Sequence, residues 1–129
     1  MSPKNTRLVD AGEWREHCSS IVGVDFETFY STGYSVSKLG NWAYCHDPQF
    51  SAYLLAVSNG ILTCVSPPEE FPWDSISGLE WVSHNRDFDQ SIWRRLKELN
   101  LINYNLSGPS KWHCSAAACA YLQLPRSLA

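Results

Sequence analysis

The chain contains no run of about 18 apolar residues, so no segment is long enough to cross a bilayer as a helix. The first residues, Met1-Ser2-Pro3-Lys4-Asn5-Thr6-Arg7, lack the apolar core of a signal peptide, which points to a cytoplasmic protein with no membrane contact. Paired Cys-x-x-Cys spacing is missing, and five cysteines cannot all pair. Cys18, Cys45, Cys64, Cys114 and Cys119 therefore read as reduced, mostly buried thiols. A zinc site built from His113, Cys114 and Cys119 fits no common ligand spacing. An excess of positive charge is also missing: the net charge is −3. Bulk electrostatics thus gives no support for nucleic-acid binding, yet does not exclude a nuclease, because metal ions neutralise an acidic site locally. Internal repeats and low-complexity segments are not found.

What is present suits one domain. The chain has 129 residues, 44% of them hydrophobic and 13% aromatic, with six tryptophans, enough for one core and too apolar for disorder. After a polar leader (1–19), Ala11 to Ser20 suits a short helical or irregular segment. Ile21 to Phe26 is a short β-branched strand. Thr28 to Gly40, rich in Ser, Thr, Gly and Tyr, reads as a loop, and Gly40 to His46 as a small aromatic turn. Phe50 to Ser58 and Ile61 to Val65 are strands joined by the hairpin signal Asn59-Gly60. Leu79 to Ser83 is a further strand, and Asp87 to Leu99 a helix whose stripe is Phe88, Ile92, Leu96 and Leu99, with Asn100 as its cap. Lys111 to Cys114 reads as a strand, Ser115 to Leu122 as an Ala-rich helix, and Leu124 to Ala129 as the start of another. Trp14, Trp42, Trp73 and Trp93 read as packing residues, and Arg94, Arg95 and Lys97 as a solvated helix face rather than a phosphate track. This order predicts an α/β domain with a mixed sheet and flanking helices.

Two stretches carry chemistry. In Ile21-Val22-Gly23-Val24-Asp25-Phe26-Glu27-Thr28, a strand ends in two carboxylates spaced i, i+2, which project to one face. Carboxylates held that close raise each other's pKa unless a cation lies between them, and Mg²⁺ or Mn²⁺ prefers such oxygen ligands. The plainer alternative is a strand that turns polar as it leaves the core. In Trp81-Val82-Ser83-His84-Asn85-Arg86-Asp87-Phe88-Asp89, a His-Asn pair ends one strand and two carboxylates begin a helix. Asp87 or Asp89 also suits a first-turn acid. If the strand from Leu79 lies beside that from Ile21, Asp89 faces Asp25 and Glu27 at the C-terminal end of the sheet. Ser83-His84 has no nucleophile elbow around it, so Ser-His-Asp catalysis is unsupported.

Asp25-Phe26-Glu27-Thr28 followed by His84-Asn85-Arg86-Asp87-Phe88-Asp89 resembles the first two motifs of the DEDD-type 3′–5′ exonucleases. Lys38-Leu39-Gly40 to Tyr44, Asp47-Pro48-Gln49-Phe50, and Trp112-His113-Cys114 leading to Leu124-Pro125-Arg126-Ser127-Leu128 look closest to the proofreading domain of phage-type family A DNA polymerases. The resemblance covers residues 20–129 and implies a ribonuclease H-like fold. It implies that Asp25 bridges two metal ions, Mg²⁺ or Mn²⁺, that Glu27 ligates the ion holding the attacking water, and that Asp89 serves the other. Asn85 and His84 would touch substrate or shape the loop, and Phe26, Thr28 and Phe29 would lie near the terminal nucleotide of a single-stranded DNA 3′ end. A polymerase domain or protein would be the partner. The family's third motif, a Tyr or His four residues before a last Asp, has no counterpart here: neither His84 nor His113 is followed so, since Phe88 and Ala117 stand there. The expectation is therefore a partial domain, incomplete at its C-terminus. The rival expectations are an exoribonuclease and a non-catalytic remnant that binds nucleic acid or a polymerase.

Overall fold

The computed structural model of the protein describes residues 6–15 and 20–122. Cys18 and the helix expected from Leu124 lie outside the described residues. The strands are β1 (Arg7–Val9), β2 (Ile21–Thr28), β3 (Ala52–Ser58), β4 (Leu62–Ser66), β5 (Glu80–Ser83) and β6 (Lys111–Cys114). The helices are α1 (Ala11–Arg15), α2 (Val36–Leu39), α3 (Asn41–His46), α4 (Arg86–Glu98) and α5 (Ser115–Tyr121). Together they make an α/β fold around one mixed sheet of order β1-β4-β3-β2-β5-β6.

The hairpin makes β3 antiparallel to β2 and to β4, while β5 lies parallel to β2 and β6 parallel to β5. The hairpin turn sits one residue beyond Asn59-Gly60. Asn59 Oδ1 accepts the N–H groups of Ile61 and Leu62 at 2.9 and 2.8 Å, and Gly60 supplies the positive φ of 92°. Asn100, at φ 61°, ends α4 in the left-handed conformation that Asn tolerates best after Gly.

Burial alternates along β2: Val22, Val24, Phe26 and Thr28 are buried, whereas Ile21, Asp25 and Glu27 are exposed. The inward set continues through Leu55, Val57, Leu62, Cys64, Trp81 and Trp112. Over it runs a chain of rings: Trp14 against Phe71, Phe71 against Trp73, Trp73 stacked on Phe26, and Trp81 edge-on to both Trp93 and Trp112. Offset and edge contacts of this kind add to what burial of the rings already contributes. On the opposite face Leu8, Ile21, Val65 and His113 are exposed, while Ala56, Thr63 and Val82 are half-buried.

Several expectations change. Arg7–Val9, in the expected leader, is an edge strand paired in parallel with β4, and Val9 and Trp14 are buried. Three residues carry no readable alternation; pairing with β4 makes them a strand. Gly40 to His46 is mostly the helix α3, and the loop before it holds the single turn α2. Trp42 is 73% exposed, not packed. Tyr44 and Cys45 take the inner side of α3, and a residue two positions from Tyr44 faces away from it. On α4, Trp93 joins Ile92 and Leu96 in the core, whereas Leu99 is exposed.

Candidate functional site

β2 outruns its neighbour. The pairing of β2 with β5 stops at Gly23–Val82, so backbone groups of Val24 and Phe26 on that edge have no strand partner. Side chains replace the strand. Ser83 Oγ donates to Val24 O at 2.7 Å, and the Phe26 N–H donates to Asp89 Oδ1 at 3.3 Å. Trp112 Nε1 donates to Ser83 Oγ at 3.0 Å, which ties β6 to the same point. A buried backbone group without a partner is costly, so this notch demands polar side chains at positions 83 and 89.

The notch brings Asp89 to the edge of the strand that carries Asp25 and Glu27. Asp89 is buried, only 4% exposed, and its pKa is pushed up to about 7. Burial is the main cause, and the charges of Asp25 and Glu27 add to it, while the Phe26 N–H and the Ser83 hydroxyl oppose it. The Asp25 carboxyl is raised as well, by partial burial. Asp25 and Glu27 alternate with the buried Val24, Phe26 and Thr28 and so share the open face of the sheet. Asp89 meets the edge of the same strand past the end of β5, at the Phe26 N–H.

The donor chemistry, three carboxylates with mutual repulsion, fits a hard divalent cation. Among the described residues, however, no three His, Cys, Asp or Glu side chains stand close enough together to hold a metal ion. The zinc grouping of His113, Cys114 and Cys119 is likewise not formed. His113 Nε2 instead lies 2.8 Å from Glu80 Oε1. Cys45, Cys64, Cys114 and Cys119 are free thiols, the first two buried.

The residues expected near a substrate divide. Phe26 is 4% exposed and stacked on Trp73, and Thr28 is buried beside the Tyr44 hydroxyl at 2.8 Å. Both are packing residues by their side chains. Phe29 is 43% exposed, its ring stacked against Tyr34 with centroids 6.0 Å apart. Asn85 stands at the N-cap of α4 without a side-chain cap bond; its carbonyl accepts the Asp89 N–H at 3.2 Å. His84 Nδ1 is 3.0 Å from Ser115 Oγ, and its carbonyl accepts the Ala116 N–H at 2.9 Å.

Three contributors escape sequence reasoning. Ser83 and Trp112 act through the strand register, which no local pattern encodes. Tyr44 donates its hydroxyl to Phe29 O at 2.5 Å and so pins α3 to the end of β2. The aromatic residues at 42 and 44 read as a turn there, and their spacing does not say which of them faces inward.

Compared with known proteins, the chain matches no family model, and no curated protein is a significant match to it.

Proposed function

We propose that this chain carries the core of a two-metal-ion 3′–5′ exonuclease that hydrolyses DNA from its 3′ end, of the proofreading type. The observation that supports this reading most is the seating of Asp89 at the edge of β2, with its pKa pushed up to about 7 by burial and by the charges of Asp25 and Glu27. A structural ion cluster needs a cation of its own, whereas among the described residues no Lys or Arg is paired with these three acids. The sheet order supports a ribonuclease H-like fold: a central β2 flanked by antiparallel β3 and parallel β5, with β4 and β6 outside them. The same reading carries Mg²⁺ or Mn²⁺ as cofactor, a polymerase domain or protein as partner, and the cytoplasm as setting.

Asp25, Glu27 and Asp89 would hold the ions, which supply a water of lowered pKa and neutralise charge on the leaving oxygen. The chain's own part is to hold the acids. β2 presents Asp25 and Glu27 on one face, and the bonds from Phe26 N–H and within the Ser83–Trp112 relay fix the opposing edge. Phe29, an exposed ring two residues after Glu27, is available to stack on a terminal base.

A second reading, a non-catalytic remnant that binds nucleic acid or a polymerase, is favoured by one observation: the three acids do not stand at ligand spacing. The deciding experiment is a Mn²⁺-supported digestion of single-stranded DNA labelled at its 5′ end, with Asp25→Ala alongside. A ladder of shortening products that the variant does not form is the expected result. No digestion by the folded wild-type chain overturns the exonuclease reading. Faster loss of a matched RNA strand would instead make it an exoribonuclease.

A further inference from the structure

The outer surface of α3 and α4 carries a feature that neither the sheet nor the acidic centre needs. Of the six tryptophans, Trp42 alone is exposed, while Trp14, Trp73, Trp81, Trp93 and Trp112 are at most 9% exposed. Its indole is not loose. The His46 ring stacks on it with centroids 4.1 Å apart and planes 14° from parallel, and His46 Nδ1 lies 2.8 Å from Trp42 O. One face of the indole is therefore covered by a ring, and the exposure of the residue leaves the other to solvent.

Beside Trp42 lies a groove of about 270 Å³ reaching across to Ser91 and Arg94 of α4. A second depression of about 340 Å³ adjoins it, sharing Arg94 and Glu98 and reaching Lys97 and Tyr104. Tyr104 is 65% exposed. Each depression thus pairs an exposed ring with a cation: Trp42 with Arg94, and Tyr104 with Lys97.

The charges here are unequally committed. Glu98 lies 3.7 Å from both His46 Nε2 and Arg95 Nη1, so its charge is answered locally. Lys97 Nζ sits 4.1 Å from the Trp93 ring centroid and donates to Leu106 O. Arg94 is exposed, and no hydrogen bond or ion pair holds it among the described residues. A polymer that alternates flat rings with anionic groups matches a surface that alternates flat rings with cations.

We propose that the α3–α4 groove binds single-stranded nucleic acid, with one base stacked on Trp42 and an adjacent phosphate paired with Arg94. The site is separate from the acidic centre and does not use metal. Arg94 stands five residues after Asp89 on α4, about 8 Å along the helix axis and about 140° around it, so the groove lies on a different side of the helix from that centre.

The test uses the whole chain in EDTA, so that binding is read without hydrolysis. Anisotropy of a labelled oligothymidine is titrated with wild type, Trp42→Ala, Trp42→Phe and Arg94→Ala, each checked for an unchanged thermal melt. Trp42→Ala is expected to weaken binding roughly tenfold, the scale of one stacked base, and Trp42→Phe to restore most of it. Arg94→Ala is expected to weaken binding and to lower the slope of log affinity against log salt by about one. Oligothymidine should also shield the wild-type indole from iodide quenching, since Trp42 is the accessible one. No binding by wild type, equal binding by Trp42→Ala and Arg94→Ala, or equal binding of a duplex would each overturn the proposal. Binding with no nuclease activity would count only against the exonuclease reading.

Discussion

The Asp89 carboxylate accepts the Phe26 backbone N–H at 3.3 Å, so a helix side chain completes the hydrogen bonding of β2 where β5 has ended. That bond favours the ionised acid, yet burial and the facing charges of Asp25 and Glu27 outweigh it. Structure and chemistry conflict at this residue, and the conflict has a measurable pH signature.

In the folded chain Asp89 keeps its proton up to about pH 7, whereas an unfolded Asp releases it near the ordinary 3.8. Between those values the native state binds more protons than the unfolded state, so this group makes stability fall as pH rises and level off above about 7. Below the lower value it contributes no penalty. In EDTA, the difference in unfolding free energy between Asp89→Asn and wild type should therefore grow in the variant's favour across that window. The size expected is a few kcal/mol, at about 1.4 kcal/mol per pKa unit. Urea titrations at several pH values check it, and a pH-independent difference would refute the assignment.

Ser83 joins β6 to β2 with one hydroxyl, accepting from Trp112 Nε1 and donating to Val24 O. Ser83→Ala leaves a buried indole N–H and a buried carbonyl unpaired, a loss of about 1–3 kcal/mol. The shift of the urea midpoint measures it, and the double variant Ser83→Ala/Trp112→Phe should cost less in total than the two single changes added together.

Trp81 is fully buried, with edge contacts to Trp93 and Trp112 and a bond from its Nε1 to Ile76 O at 2.8 Å. Trp81→Ala is expected to cost about 3–5 kcal/mol, enough to unfold much of a marginal domain. Near-ultraviolet circular dichroism should lose most of its tryptophan signal in that variant, while Trp42→Ala should leave most of it in place.

Tyr44 holds α3 against the end of β2 through Phe29 O and Thr28 Oγ1. Tyr44→Phe keeps the ring stacked on Tyr34, whose centroid is 4.6 Å away, but removes the hydroxyl. A loss of about 1–2 kcal/mol is expected, with faster amide exchange at Phe29 and in α3 before the rest of the sheet opens.

Periodicity and turn chemistry sufficed for the larger elements. The β-branched run at 21–26, the Asn-Gly turn, the stripe through Ile92 and Leu96, and the left-handed Asn100 are local signals, each set by sterics or by the repeat of its own element. The i, i+2 spacing likewise placed Asp25 and Glu27 on one face, because strand alternation is a property of the backbone. Other features depend on partners distant in sequence. The strand at Arg7–Val9 exists because β4 lies beside it. Tyr44 rather than Trp42 is buried because β2 ends next to one side of α3. The pKa of Asp89 follows from β2 extending past β5, which draws a carboxylate some sixty residues away onto a bare strand edge, into burial and against two like charges. Residue types and spacing are written in the chain, but burial and through-space repulsion arise only when the register of the sheet brings those groups together.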